Sequence, residues 1–157
     1  MPPSGTPTKE ALLANLETVL SGISAGADYY TDVAHVTRIN SVALDLPQFP
    51  AIVLTPLGTD YDPPGEVTTL AIAGNYRVRA LLVIRTRTDA VAELENFIRD
   101  VHKAILVDTT RGGLAIDTRL VSDEVYYPTD QKEPVAMAEL VILISYRTPR
   151  TDLNQAT

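Results

Sequence analysis

The chain's two histidines are the side chains best suited to acid–base chemistry or metal binding near neutral pH. His35 falls in a predicted strand and His102 on a predicted helix. Neither belongs to a His-x-x-x-His or His-Glu pair that could hold zinc. The chain has no cysteine, which excludes a disulfide framework, a thiolate zinc site and a cysteine nucleophile. We interpret both histidines as ordinary packing or surface residues.

An acidic segment from Gly58 to Gly65 is the second candidate for chemistry. Asp60, Asp62 and the following Glu66 resemble a calcium loop, but the alternating ligands and central glycine of an EF-hand are missing. The segment is dense in turn-forming residues, so we interpret it as the exposed tip of a long hairpin. Asp60, Tyr61, Asp62 and Glu66 are then candidates for docking to a partner.

Motifs of phosphate binding and nucleophilic catalysis are missing. Arg111-Gly112-Gly113 lacks the Gly-x-x-x-x-Gly-Lys pattern and follows a helix, so its glycines predict positive φ angles at a helix end. No Gly-x-Ser-x-Gly elbow is present, and nothing marks a catalytic carboxylate pair. The sequence therefore predicts a protein that is not an enzyme and has no metal or cofactor.

Residues 76–88 are the most informative stretch. Strand alternation predicts a core face that begins at Tyr76 and an opposite face that mixes arginine with aliphatic residues. That second face consists of Arg77, Arg79, Leu81, Val83, Arg85 and Arg87. One interpretation is that these arginines pair with carboxylates of adjacent strands and keep the sheet soluble. The other is that the face contacts a neighbouring subunit.

The last predicted strand, 135–146, carries a matching apolar pair, Val141 and Leu143, on one side. If the strand is next to the arginine-bearing strand, two apolar pairs share the sheet face that helices leave open. Burial of such a patch contributes several kcal/mol at roughly 25 cal/mol per Å². The paired tyrosines Tyr29-Tyr30 and Tyr126-Tyr127 are interface residues or plain packing.

The remaining pattern places these strands in an α+β fold, a mainly antiparallel sheet with two helices packed on one face and one long β-hairpin. Thr8 is the predicted cap of the first helix, Pro56 ends the second strand or marks it as an edge, and Gly74-Asn75 breaks the hairpin's returning arm. The predicted helices cover 8–21 and 90–107, and the predicted strands cover 33–39, 51–55, 67–88, 114–118, 120–127 and 135–146.

Length and charge limit the number of domains and the classes of partner. The 157 residues suit one domain, residues 1–157, with flexible arms at 1–7 and 148–157. No apolar run approaches the roughly 20 residues that span a bilayer, which predicts no membrane partner. The net charge of −7 disfavours binding to nucleic acid over a broad surface.

The order of these features resembles a known family. It begins with an amphipathic first helix, the strand entry Phe49-Pro50-Ala51-Ile52-Val53 and a long variable hairpin. The next features are Tyr76-Arg77-Val78-Arg79, which leads into an aliphatic strand, and the helix around 92–98. Gly112-Gly113-Leu114-Ala115 and the closing strand 139–147 complete it. Over most of residues 8–148 the chain resembles the tail terminator (tail completion) proteins of long-tailed bacteriophages, the lambda gpU-like group.

The resemblance implies a structural virion protein, assembled in the host cytoplasm. Such proteins form hexameric rings that cap the finished tail tube and join it to the neck connector, with genomic DNA passing through the lumen. Partners would be other copies of the chain, the tail tube protein, the connector and, in a contractile tail, the sheath. The alternatives are another neck ring, such as a head-closure protein or a sheath terminator, and a small ligand-binding module or hydrolase.

Overall fold

The computed structural model describes residues 8–38, 46–61, 71–86, 88–128 and 134–149. These residues form two helices and one five-stranded sheet with the order β1-β2-β3-β5-β4. The elements are α1 (Thr8–Ser21), β1 (His35–Arg38), β2 (Ala51–Tyr61), β3 (Ala71–Arg85), α2 (Ala90–Val107), β4 (Asp117–Tyr126) and β5 (Val135–Pro149).

Both helices have the predicted bounds, because local sequence determines them. In α1, leucines spaced by three or four residues bury one stripe: Leu12, Leu13, Leu16 and Leu20. In α2, Asp89 is the N-cap, and its Oδ1 accepts a hydrogen bond from the Ala92 backbone N–H at 3.0 Å. Thr8, the predicted cap of α1, is instead the first helical residue.

The helices and the sheet form two layers, which confirms the predicted α+β fold. One sheet face packs against α1 and α2 and is almost completely buried. Four strands are antiparallel to their neighbours, and only β1 runs parallel to β2. The buried face is lined by Ile52, Leu54, Tyr76, Val78, Ala80, Leu82, Ile84, Ala136, Ala138, Leu140, Ile142, Ile144 and Tyr146.

Of the two alternatives predicted for Pro56, the end of the second strand is wrong, and the position at an edge is confirmed among the described strands. β2 continues to Tyr61, with a bulge between Pro56 and Gly58. Among the described strands, β1 pairs only with Ala51–Leu54, so Pro56 lies at an edge of the sheet. Its lack of a backbone N–H therefore removes no ladder hydrogen bond to a described strand on that side. The residues from Gly58 to Tyr61, predicted to be part of the hairpin tip, are therefore strand residues.

The prediction of a break at Gly74-Asn75 is also wrong. β3 runs through both residues without interruption. A Cβ atom at Gly74 would lie 2.9 Å from Thr59 Cγ2 and 3.1 Å from the Tyr146 ring. The glycine therefore allows a large ring to pack across the strand, and it does not end the strand.

The last two strands differ from the prediction in their bounds. Residues 117–126 form one strand, β4, in which a bulge between Leu120 and Ser122 takes the place of the predicted break. β5 extends to Pro149, so Thr148 belongs to the sheet and not to an arm. Its Oγ1 lies 3.5 Å from Thr8 Oγ1, and both threonines are buried.

Neither described helix has an apolar stretch of the length that crossing a bilayer requires.

Candidate assembly interface

The arginine-bearing strand β3 and the last strand β5 are direct neighbours over their full length. Arg77 lies opposite Leu143, Arg79 opposite Val141, and Leu81 opposite Glu139. All these residues are on the side of the sheet opposite the helices, because they alternate with the buried residues of β3 and β5. We call this side the open face. The two apolar pairs predicted from sequence therefore lie on one surface.

Three arginines of the open face have partners within the chain. Arg77 Nη2 lies 3.3 Å from Asp60 Oδ2, and Arg79 Nη1 lies 3.9 Å from Glu139 Oε2. The Arg85 guanidinium lies 4.4 Å from the centre of the Phe49 ring. Exposed ion pairs of this kind contribute little stability and exchange readily with water or a partner. Arg87, the fourth arginine, lies outside the described residues.

The aliphatic side chains of the open face differ in accessibility. Leu81, Val141 and Leu143 are half-buried and keep some surface for a partner. Val83 was predicted to be available as well, and this is wrong, since it is only 1 % exposed within its own chain. It lies between Ala51 and Met137 in the ladder, towards the end of the sheet where β1 adds a further strand. Val83 is therefore part of the core.

The most exposed large apolar side chains lie at the sheet edges and on or beside α2, and only the tyrosines among them were predicted from sequence as interface or docking candidates. They are Tyr30, Leu57, Tyr61, Val91, Leu106, Val107, Ile116, Val121, Val125, Tyr126 and Tyr127. Alternation alone cannot identify them, because exposure at an edge depends on which strand ends the sheet. β4, which ends the sheet in the described structure, contributes or adjoins five of them.

Two of the four predicted docking residues are described. Asp60 and Tyr61 are the last residues of β2, and both are exposed. Asp62 and Glu66 lie outside the described residues. Asp60 is opposite Asn75 on the open face, whereas Tyr61 is opposite Gly74 and so lies on the helix side. The two docking residues therefore point to different sides of the sheet edge.

The predicted tyrosine pairs have different surroundings. Tyr29 and Tyr30 lie beside α2, where Lys103 Nζ is 5.4 Å from the Tyr29 ring centre and Arg99 Cζ is 5.0 Å from that of Tyr30. Tyr126 is exposed on β4 and donates its hydroxyl to Glu124 Oε2 at 2.7 Å. This hydrogen bond to a carboxylate raises the pKa of Tyr126 above its ordinary value.

Arg111, in the predicted glycine turn, is a buried cation with a structural task. Its Nη2 donates to the backbone carbonyls of Ile105 and Asp108, which satisfies acceptors at the end of α2. Burial lowers the pKa of its guanidinium. The positive φ angles predicted for Gly112 and Gly113 are confirmed, at 70° and 85°.

The histidines are far apart in the fold. His35 is half-buried in β1 and His102 is exposed on α2. Within the described ranges, no group of three or more His, Cys, Asp or Glu side chains has the arrangement of a metal site.

A cleft of about 300 Å³ lies between α2, the end of β3 and the loop before β1. This is the lower limit for small-molecule sites. Its lining mixes Arg85 with Asp32 and Glu93, so no single charge sign is favoured for a ligand.

A comparison with protein-family models finds no matching family, and a comparison with curated proteins finds no matching relative. The interface therefore has to be interpreted from its own residues.

Proposed function

We propose that this chain is a structural subunit of a ring at the head-proximal end of a long bacteriophage tail, a tail terminator. The observation that carries the proposal is the open face, whose half-buried centre of Leu81, Val141 and Leu143 is surrounded by arginines. A monomer gains nothing from exposing these aliphatic groups, whereas an assembling subunit buries them and offers arginines to a neighbour's carboxylates. The order of sequence features, which resembles tail terminators, supports the same function.

In this proposal the ring has six copies and a mass of about 102 kDa, six times the 17.0 kDa of one chain. The segment that follows β2, with Asp62 and Glu66, contacts the tail tube or the neck connector above and below the ring. The net charge of −7 gives a lumen that repels DNA and lets the genome slide through. The ring has no catalytic role, takes no cofactor and belongs to the virion after assembly in the host cytoplasm.

Electron microscopy and light scattering of the purified chain test this proposal. We expect closed rings with cyclic symmetry that bind the ends of tail tubes. Rings that bind only the head-side connector would favour another neck protein, such as a head-closure protein. A 17.0 kDa monomer at micromolar concentration would refute the proposal.

A further inference from the structure

We propose that each copy in the ring places the free end of β2 against the start of β4 in the next copy, with Asp60 of one copy paired to Arg119 of the other. This inference rests on the proposed ring and names two edge patches that contribute to the subunit contact in addition to the open face. The first patch, Leu57, Asp60 and Tyr61, is called the β2 patch. The second, Leu106, Ile116 and Arg119, is called the β4 patch.

The two patches lie at opposite sides of the same sheet. In the described residues, β1 pairs only with Ala51–Leu54, so β2 has no outer neighbour from Pro56 to Tyr61. β4 is the last strand on the other side. Contacts between different patches are what a closed cyclic ring requires, because each subunit uses one patch on each neighbour.

The patches are also at the same height along the strands. Gly58, Arg77, Leu143 and Arg119 form one cross-strand row on the open face. Asp60 begins the next row on the same face, two residues further along the strands, and this row ends at Asp117. Rotation about an axis close to the strand direction brings the two patches together, and a small tilt of this axis shifts one edge strand along the other. In that arrangement the β4 strand of one copy would be antiparallel to the β2 strand of the next.

Apolar surface is exposed in both patches. Tyr61 is 57 % and Leu57 43 % exposed at one side, while Ile116 and Leu106 are each 53 % exposed at the other. The end of α2 lies beside the start of β4, because Thr118 Oγ1 donates to the Thr109 carbonyl at 2.7 Å. Large side chains of this kind contribute most to contacts when a partner removes them from water.

The charges of the two patches are opposite. The Asp60 side chain is 68 % exposed, and its partner Arg77 is exposed as well, so their ion pair is weak and open to a second cation. Arg119 is exposed on the same open face and has no ion pair with any described residue. A contact in line would place Asp60 against Asp117, and an offset of one row places it against Arg119.

Both strands carry a bulge near this contact, between Pro56 and Gly58 in β2 and between Leu120 and Ser122 in β4. Bulges and prolines at an edge prevent continuous hydrogen-bond pairing with another sheet. The two copies therefore meet through side chains and not through an extended backbone ladder.

A charge exchange tests the pair. Asp60→Arg alone and Arg119→Asp alone each place like charges in every contact, and we expect assembly to require at least about tenfold more protein. Combining both changes in one chain restores opposite charges at every contact, and assembly should return to within about threefold of the wild type. Light scattering over a dilution series measures this, with circular dichroism to show that each variant is folded.

The matched control is Asp60→Arg combined with Arg147→Asp, which reverses another exposed arginine of the open face. This combination should not restore assembly. If the wild type forms rings and each single variant assembles equally well, the inference is overturned and the proposed ring is left intact. The same holds if the double variant does not regain assembly. A monomeric wild type would overturn the ring itself and the inference with it.

Site-specific cross-linking gives a second measurement, since the chain contains no cysteine. Tyr61→Cys and Ile116→Cys variants are prepared separately, mixed and treated with a short bismaleimide. The inference predicts covalent dimers in the mixture and none in either variant alone. Dimers that form equally within one variant would indicate two-fold contacts and contradict the assigned patches.

Discussion

The Asp100 carboxylate, on α2, accepts a hydrogen bond from the Thr31 backbone N–H at 2.7 Å, and it also accepts one from the Tyr30 N–H at 2.9 Å. Asp100 is buried, and the two peptide groups that donate to its carboxylate lie 70 and 69 residues away in sequence. The loop between α1 and β1 is thereby attached to the second helix. Lys103 adds a hydrogen bond to the Asp28 carbonyl at 2.7 Å.

Replacing Asp100 by alanine should lower the free energy of unfolding by about 1–3 kcal/mol, because two partly buried N–H groups lose their acceptor. Chemical denaturation at neutral pH measures the change. Asp117→Ala, which removes an exposed carboxylate from β4, is the control and should change stability by less than about 0.5 kcal/mol. Equal effects of the two substitutions would show that the attachment does not stabilise the fold.

Replacing Gly74 by alanine should destabilise the chain by about 1–3 kcal/mol, because the new methyl group would overlap Thr59 and the Tyr146 ring. Gly26→Ala is the control, since nothing lies within 4 Å of its Cβ position. Thermal unfolding should show a lower Tm only for the Gly74 variant. A Gly74 variant as stable as the wild type would mean that the two neighbours move aside without cost.

Alkaline pH should destabilise the fold through Tyr146. Burial raises the pKa of this tyrosine from 10.0 to about 12, with a further contribution from Tyr61. The folded state therefore holds the proton more tightly than the unfolded state, so the contribution is complete below pH 10 and is lost as the pH rises towards 12. Urea unfolding of the wild type should show falling stability across this range.

Tyr146→Phe isolates this effect, because phenylalanine keeps the ring and has no ionisable hydroxyl. The stability of this variant should fall less between pH 10 and pH 12 than that of the wild type. Parallel curves for the two proteins over this range would contradict the assignment of the raised pKa to Tyr146.

Local sequence was sufficient to predict the helices and most of the open face. The stripe through Leu12, Leu16 and Leu20 lies within one helix, so spacing alone reveals it. The alternation in β3 likewise separated Tyr76 and Val78 on the core side from Arg77 and Arg79 on the open face.

Properties that depend on neighbouring strands could not be predicted in this way. Val83 is only 1 % exposed and lies between two ladder partners that are distant in sequence, Ala51 and Met137. Pro56 alone could not decide between a strand end and an edge position, because that depends on how far β1 pairs along β2. For the same reason, the exposure of residues at the start of β4 could not be predicted, because it depends on β4 being the last strand of the described sheet.

The open face gives the next prediction. Leu81→Asp combined with Leu143→Asp should abolish assembly and leave the helical circular dichroism signal unchanged, because both side chains are only half-buried in the single chain. Val83 is not suitable for this purpose, since a charge at a buried position would unfold the core. Val91→Asp is the matched control, an exposed apolar residue of α2 on the helix side of the molecule.

Sedimentation equilibrium of the wild type beside the Leu81→Asp, Leu143→Asp variant tests most directly whether a second copy completes the open face. We expect a wild-type mass near 102 kDa, six times the chain mass, and a folded variant near 17.0 kDa. A variant that assembles as well as the wild type, or a wild type that sediments as a single chain, would contradict it.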